Sequence, residues 1–219
     1  MRSLLPVLSL FLAVAALGAC STVQPNRYEG IASSPQLRPN GEDETGRMPY
    51  RVSSHVAWSE YDNVLLEPVN VYGGQDGQFD KDVTPRDKEE LAGYMRTVFS
   101  ERLGKRFRLV REERPRTLRV RLTLTGASTN TAFVSTITRF DLAGGPYNAV
   151  QGMRGREGAF IGSAMYSVEI FDGSTGGLLD AYVAKQYPNA MNVSATIGRL
   201  EAAKVSLEKG ADELVAQLK

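Results

Sequence analysis

Apolar and polar positions recur with different periods along this chain, and the changes of period mark its elements. Leu4 to Leu17 is an almost unbroken apolar run behind a short basic start, Met1-Arg2-Ser3. Residues 21–60 have no period. Pro25, Pro35, Pro39 and Pro49 punctuate them and a polar stretch spans Gly41 to Gly46, so residues 20–60 read as a tether. A flexible stretch of that size has an r.m.s. reach of roughly 35 Å. Its last part, Val56 to Tyr61, carries aromatic residues suited to docking on a domain. From Tyr61 the pattern is globular. Val64 to Tyr72 is a β-branched, apolar run, and Pro68, which cannot donate to a ladder, predicts an edge strand or a bulge. Gly73 to Asp82 reads as turn.

Thr84-Pro85-Arg86-Asp87 predicts a helix start, with Thr84 as N-cap, Pro85 at N1 and an acid at N3. Leu91, Tyr94, Met95, Val98, Phe99 and Leu103 then share one helical face, and Gly104 supplies the stop. Phe107 and Leu109 alternate with Arg106 and Arg108, and Leu118 to Thr125 alternates throughout. With Glu112 to Arg116 between them as a turn, the two runs predict a hairpin. A second hairpin joins Phe160–Phe171 to Leu178–Tyr187 through Asp172-Gly173-Ser174-Thr175-Gly176-Gly177. A last helix runs from about Ala195 to Leu218, with Ile197, Leu200, Leu207, Ala211, Leu214 and Leu218 inward. Thr131 to Thr138 alternates enough for another strand, and residues 144–158 read as a long exposed loop.

Two helices cannot cover both faces of that many strands. The expected fold is α+β: residues 61–219 as one domain, with an antiparallel or mixed sheet of about five to six strands and two amphipathic helices packed on one face.

Composition narrows the function classes. The 219 residues are 42% hydrophobic and 23% charged, which excludes a disordered chain, a collagen-like repeat and a polytopic membrane protein. One Cys excludes a disulfide scaffold, and one His removes most zinc chemistry, so no metal site and no cofactor is expected. Basic and acidic residues number 26 and 25; losing residues 1–19 removes only Arg2, leaving 25 of each. A neutral mature chain has no net attraction to nucleic acid.

The apolar run is too short to span a bilayer, which takes ~20 residues, and fits the core of a secretory signal over residues 1–19. Leu17-Gly18-Ala19-Cys20 resembles the lipobox of bacterial lipoprotein precursors, and the single cysteine of the chain falls where that motif places one. The resemblance implies a diacylglyceryl group on the Cys20 thiol, cleavage before Cys20, and acylation of the new amine. Two or three acyl chains make such an anchor effectively permanent. Ser21, rather than Asp, follows the cysteine, which by the same resemblance favours the periplasmic face of the outer membrane over the inner membrane.

Four further stretches carry a wider resemblance: Tyr61 to Val69, Leu118-Arg119-Val120-Arg121, Phe160-Ile161-Gly162-Ser163-Ala164 and Phe171 to Gly176. With the lipobox, they resemble a family of proteobacterial lipoproteins known as domain of unknown function DUF3313, over most of the mature chain. None of these motifs is a catalytic signature. The resemblance therefore implies location and architecture, and no mechanism.

Several patterns touch on chemistry. Ser206-Leu207-Glu208-Lys209 has the Ser-x-x-Lys spacing of penicillin-recognising enzymes but lies on an amphipathic terminal helix without its companion motifs. Asp76, Asp80 and Asp82 lack calcium-loop spacing. His55 sits in the tether, and Asn192-Val193-Ser194 fits a glycosylation triplet. Arg106, Arg108, Arg119 and Arg121 fall on the polar face of the first predicted hairpin, with Arg111, Arg114 and Arg116 at its tip. Like charges facing each other on a sheet cost something like 0.2–1 kcal/mol per pair, so a counter-charge is required. Either an anionic envelope polymer or protein patch supplies it, or Glu112, Glu113 and Glu169 do so internally. The segment 139–158 holds Arg139, Phe140, Tyr147, Met153, Arg154 and Arg156, residue types enriched at interfaces, unless it merely covers the sheet. The expected role is a binding or assembly module for an envelope protein or polymer, without catalysis. The alternatives are a cell-wall or lipid-modifying enzyme and a small-ligand carrier.

Overall fold

A computed structural model describes residues 23–130, 162–189, 192, 195 and 198–219. The expected signal segment and lipobox, the strand expected at 131–138 and the segment 139–158 lie outside the described residues. The described chain forms β1 (Arg38–Pro39), β2 (Tyr50–Ser53), β3 (Asn63–Leu66), β4 (Asn70–Val71), β5 (Gln78–Phe79), α1 (Pro85–Leu103), β6 (Arg108–Leu109), β7 (Thr117–Ala127), β8 (Ala164–Asp172), β9 (Leu178–Gln186) and α2 (Glu201–Gln217). Among the described residues, nine strands make one sheet in the order β1-β2-β9-β8-β7-β3-β6, with β4 and β5 also on β7. This is the expected α+β class with a mixed sheet, built from more strands than expected. The surplus is in short strands: β1, β4, β5 and β6 have two residues each.

Both helices pack on the same face. Leu118, Val120, Leu122 and Leu124 of β7 recur with the strand period of two and meet Tyr166, Val168 and Ile170 of β8 in one cluster. Leu91, Met95, Phe99 and Leu103 of α1 and Leu207, Ala211 and Leu214 of α2 complete it. The capping box at Thr84 holds: its hydroxyl accepts the Asp87 N–H at 3.2 Å, and Asp87 accepts the Thr84 N–H at 2.7 Å. Gly104 ends α1 in a right-handed conformation, so the stop does not use its left-handed freedom. α2 starts at Glu201, later than expected. It comes very near the sheet at Gly210, where a Cβ would stand 2.0 Å from the Tyr166 hydroxyl.

The second hairpin is as expected. Asp172 Oδ1 accepts the Ser174 and Thr175 N–H groups at 2.9 and 2.8 Å, and Gly176 takes φ +70°. The first is not. β6 runs parallel to β3, and β3 lies between β6 and β7, parallel to both. Parallel neighbours need a long crossover, which α1 supplies between β3 and β6, and insertion of β3 buries Val64 completely. Pro68 falls in the gap where β3 gives way to β4 along β7, as its missing N–H requires.

The largest departure is in the N-terminal segment read as a tether. β2 pairs antiparallel with β9 through Tyr50↔Val183 and Val52↔Ala181. Tyr28, Ile31 and Leu37 are buried with Tyr72, Ala181 and Val183 on the face of the sheet opposite the helices. Residues 24–53 are therefore a strap that closes the second face, and the folded domain begins well before Tyr61. Its apolar residues stand singly between prolines and turns, so they carry no period for a sequence reading to detect.

Candidate functional site

Odd positions of β7 point away from the helices, towards the strap. Cross-strand neighbours there are Arg119↔Phe171, Arg121↔Glu169 and Thr123↔Ser167. Arg121 Nε lies 2.8 Å from Glu67 Oε2, and its Nη1 lies 3.8 Å from Glu169 Oε2. Arg119 Nε is 3.7 Å from Glu67 and 3.9 Å from Glu113. Both guanidiniums stand over the Phe171 ring, at 5.0 and 5.3 Å. The hydrogen bond to Glu67 raises the Arg121 pKa above its ordinary value against the opposing effect of burial. Glu169 is 1% exposed and accepts the Ser33 N–H of the strap at 2.7 Å. A buried carboxylate is stable only when paired or hydrogen-bonded, and Glu169 is both.

Beside this array is an open cleft of about 660 Å³, lined by Glu67, Val71, Tyr72, Arg121, Thr123 and Glu169, with residues 30–32 of the strap as one wall. Tyr72 fixes that wall: its hydroxyl accepts the Gly30 N–H at 2.9 Å and donates to Asp76 Oδ1 at 2.6 Å. Asp76 Oδ2 accepts the Glu29 N–H at 3.0 Å, and the Tyr72 hydroxyl holds its carboxyl below the usual range. Tyr28 takes φ 52°, a left-handed conformation uncommon for a residue with a Cβ. Its ring meets Tyr72 edge-on at 5.3 Å, and its hydroxyl donates to Gln78 at 2.5 Å. Burial pushes the Tyr28 phenol up to about 12. The cleft thus offers fixed donors, acceptors and one aromatic wall, with opposite charges already matched. With Arg121 paired to Glu67 and Glu169, little net field is left at the cleft.

The predicted arginine cluster is split. Arg119 and Arg121 are together, neutralised internally by Glu67, Glu113 and Glu169. Arg106 is elsewhere, with Nη2 3.2 Å from the Trp58 carbonyl oxygen and its guanidinium over Phe107. Arg108 is exposed on the edge strand β6, and β3 separates it from β7. Arg139, Tyr147, Arg154 and Arg156, with Leu17, Gly18, Ala19 and Cys20, lie outside the described residues. Ser206 is fully buried and donates to Ala202 O at 2.6 Å, the back-bond of a helical serine. Asp76 pins the strap, and His55 is exposed after β2.

Glu67, Tyr72 and Asp76 went unnoticed as partners in the sequence because each acts on residues about 40 to 55 positions away. The one local sign was Glu67 itself, a charge interrupting an apolar run just before Pro68.

Three comparisons bear on this chain. The family model described as "Protein of unknown function (DUF3313)" matches residues 27–214, strap included. No curated protein sequence matches. Among solved structures, the PelC dodecamer from Paraburkholderia phytofirmans is similar in two crystal forms, one of them of a single-substitution variant. Identity is 11% in both, with TM-scores of 0.40 and 0.38. The matches cover 75% and 74% of this chain and 93% and 94% of the other.

Proposed function

We propose that this chain, which belongs to the DUF3313 family, is a lipid-anchored binding module on the periplasmic face of the outer membrane. The observation that carries the reading is Cys20, the single cysteine of the chain, directly after Leu17-Gly18-Ala19 and an apolar run of signal length. The partner is another envelope protein or an envelope polymer. The cleft beside Glu67, Arg121 and Glu169 is the surface best suited to it, because its polar groups are held in place by the strap and need no reorganisation on binding. Matched charges there favour a polar partner over a strongly anionic one. Replacing the signal core by a soluble-secretion signal would then release the protein into the periplasm, folded but inactive.

In-cell photo-cross-linking tests the reading. Val71 is 37% exposed on the cleft rim, and a photoreactive side chain there samples whatever the cleft holds. One dominant adduct from the outer-membrane fraction, lost in Tyr72→Ala and in Cys20→Ser, supports the module. An adduct indifferent to both substitutions sinks it. Palmitate incorporation that survives Cys20→Ser removes the anchor from the proposal.

A further inference from the structure

The residues just after Cys20 are tied to the fold. Lys185 Nζ donates to the Val23 carbonyl at 3.0 Å, and Gln78 Nε2 donates to the Gln24 carbonyl at 2.8 Å. The Asn26 N–H donates to Gln78 Oε1 at 2.9 Å, and Asn26 Nδ2 donates to Asp76 O at 3.2 Å. These anchors share one end of the sheet. Lys185 is near the C-terminal end of β9. Gln78 lies on β5, which pairs with Gly126 and Ala127 at the C-terminal end of β7. Ser128 and Ser163 also lie at this end, where the Ser128 N–H donates to Ser163 O at 3.0 Å.

Cys20 precedes Val23 by three residues. Fully extended, three residues span at most ~11 Å. A tether of residues 20–60 would have let the domain roam roughly 35 Å from the membrane. Docking of the strap removes that freedom.

We infer that the mature protein is held against the lipid surface, with the end of the sheet carrying Val23, Lys185 and the β5 pairing facing the headgroups. The opposite end, with the β6–β7 turn, points into the periplasm about 30 Å further out, the length of β7 at ~3.3 Å per residue. The inference rests on the Cys20 anchor proposed above. The mature chain is neutral, so the short leash sets the orientation rather than attraction to anionic lipid. It also limits the partner. Thr123 stands four residues from the membrane-facing end of β7, so the cleft opens within about 25 Å of the lipid surface. Whatever occupies the cleft must therefore reach within that distance of the lipid surface.

The test uses the full lipidated chain reconstituted into phosphatidylethanolamine–phosphatidylglycerol vesicles that carry a short-range headgroup quencher. Acylated Cys20 takes no thiol label, so Lys81→Cys and Glu112→Cys each give one labelled site, both exposed and at opposite ends of the sheet. The Lys81 label is expected to be quenched at least about threefold more than the Glu112 label, given a separation near 30 Å. Inserting about twenty Gly-Ser residues between Ser21 and Val23 should bring the two sites to similar quenching. Equal quenching without the insert, the reverse order, or a pattern the insert leaves unchanged overturns the inference. A chain that fails to float with the vesicles overturns the anchor and the inference together. A floating chain with equal quenching overturns the inference alone.

Discussion

The two faces of the sheet are closed in different ways. On the helix side, α1 and α2 cover β7, β8 and β9 with mostly apolar side chains, and Phe99 meets Tyr166 edge-on with ring centroids 5.7 Å apart. On the strap side, a segment without helix or long strand buries a smaller apolar cluster around Tyr28, Ile31 and Leu37 and is otherwise held by Tyr72, Asp76, Gln78, Glu169 and the β2–β9 ladder. Close packing transmits every change of volume and tolerates little local movement. Directional bonds between isolated residues can open one at a time. The helix face therefore carries the stability of the domain. The strap face, which also lines the cleft, is the face where local opening comes more easily.

The sharpest way to break that contrast is to cut into the helix face. Phe99→Ala should cost about 3–5 kcal/mol in chemical denaturation, the range for a fully buried aromatic residue. A loss below about 1 kcal/mol would mean that this face is not the main store of stability. Overfilling is the complementary probe. Gly210→Ala puts a methyl group against the Tyr166 hydroxyl and should cost about 1–3 kcal/mol, with the melting curve still cooperative.

The strap should answer differently. Tyr72→Phe removes the contacts to the Gly30 N–H and to Asp76 and keeps the ring. The global loss should be about 1 kcal/mol. Hydrogen exchange should accelerate at the amides of Glu29 and Gly30 and stay unchanged in β7 and β8. Equal acceleration in both places would make the faces one cooperative unit and remove the distinction.

The smallest expected effect lies in acid. The Thr84 hydroxyl, then Arg199, hold the Asp87 carboxyl down at about 2, and the carboxylate closes the capping box of α1. A depressed carboxylate stabilises the fold above its unfolded value, near 4, and that contribution fades as pH falls towards the folded value. The wild-type melting temperature should thus decline between about pH 4 and pH 2. Asp87→Asn should start lower and decline less across that window. An identical acid limb in both would release Asp87 from any role in stability.

Much of the architecture was readable because it is written locally. Thr84, Pro85 and Asp87 announce α1 within four residues, and β7 announces itself by alternation. Asp172 to Gly177 specifies a turn by chemistry alone: a carboxylate that accepts its own downstream N–H groups, and a glycine in left-handed backbone. The hairpin expected from Phe107 to Thr125 failed for a different reason. Alternation tells which face a strand buries, not which strand lies beside it. Nothing within residues 107–125 says that Asn63 to Leu66 will insert between β6 and β7. The candidate site followed the same rule. Arg119 and Arg121 were visible as a problem of unmatched charge. Glu67, most of the answer, stands more than fifty residues earlier.

Patterns over a few residues settled the helices, the long strands and the α+β class, because propensity, capping and alternation act between neighbours in the chain. The order of the strands, the pairing of Arg121 with Glu67 and Glu169, and the conversion of a Pro-rich segment into a strap were settled only by the folded chain. Each of those depends on apolar area or charge left uncovered elsewhere. Ala181 and Val183 needed a cover, and Tyr28, Ile31 and Leu37 supplied it from about 150 residues away. Such a bond has no local signature, since its free energy exists only once both partners have left water.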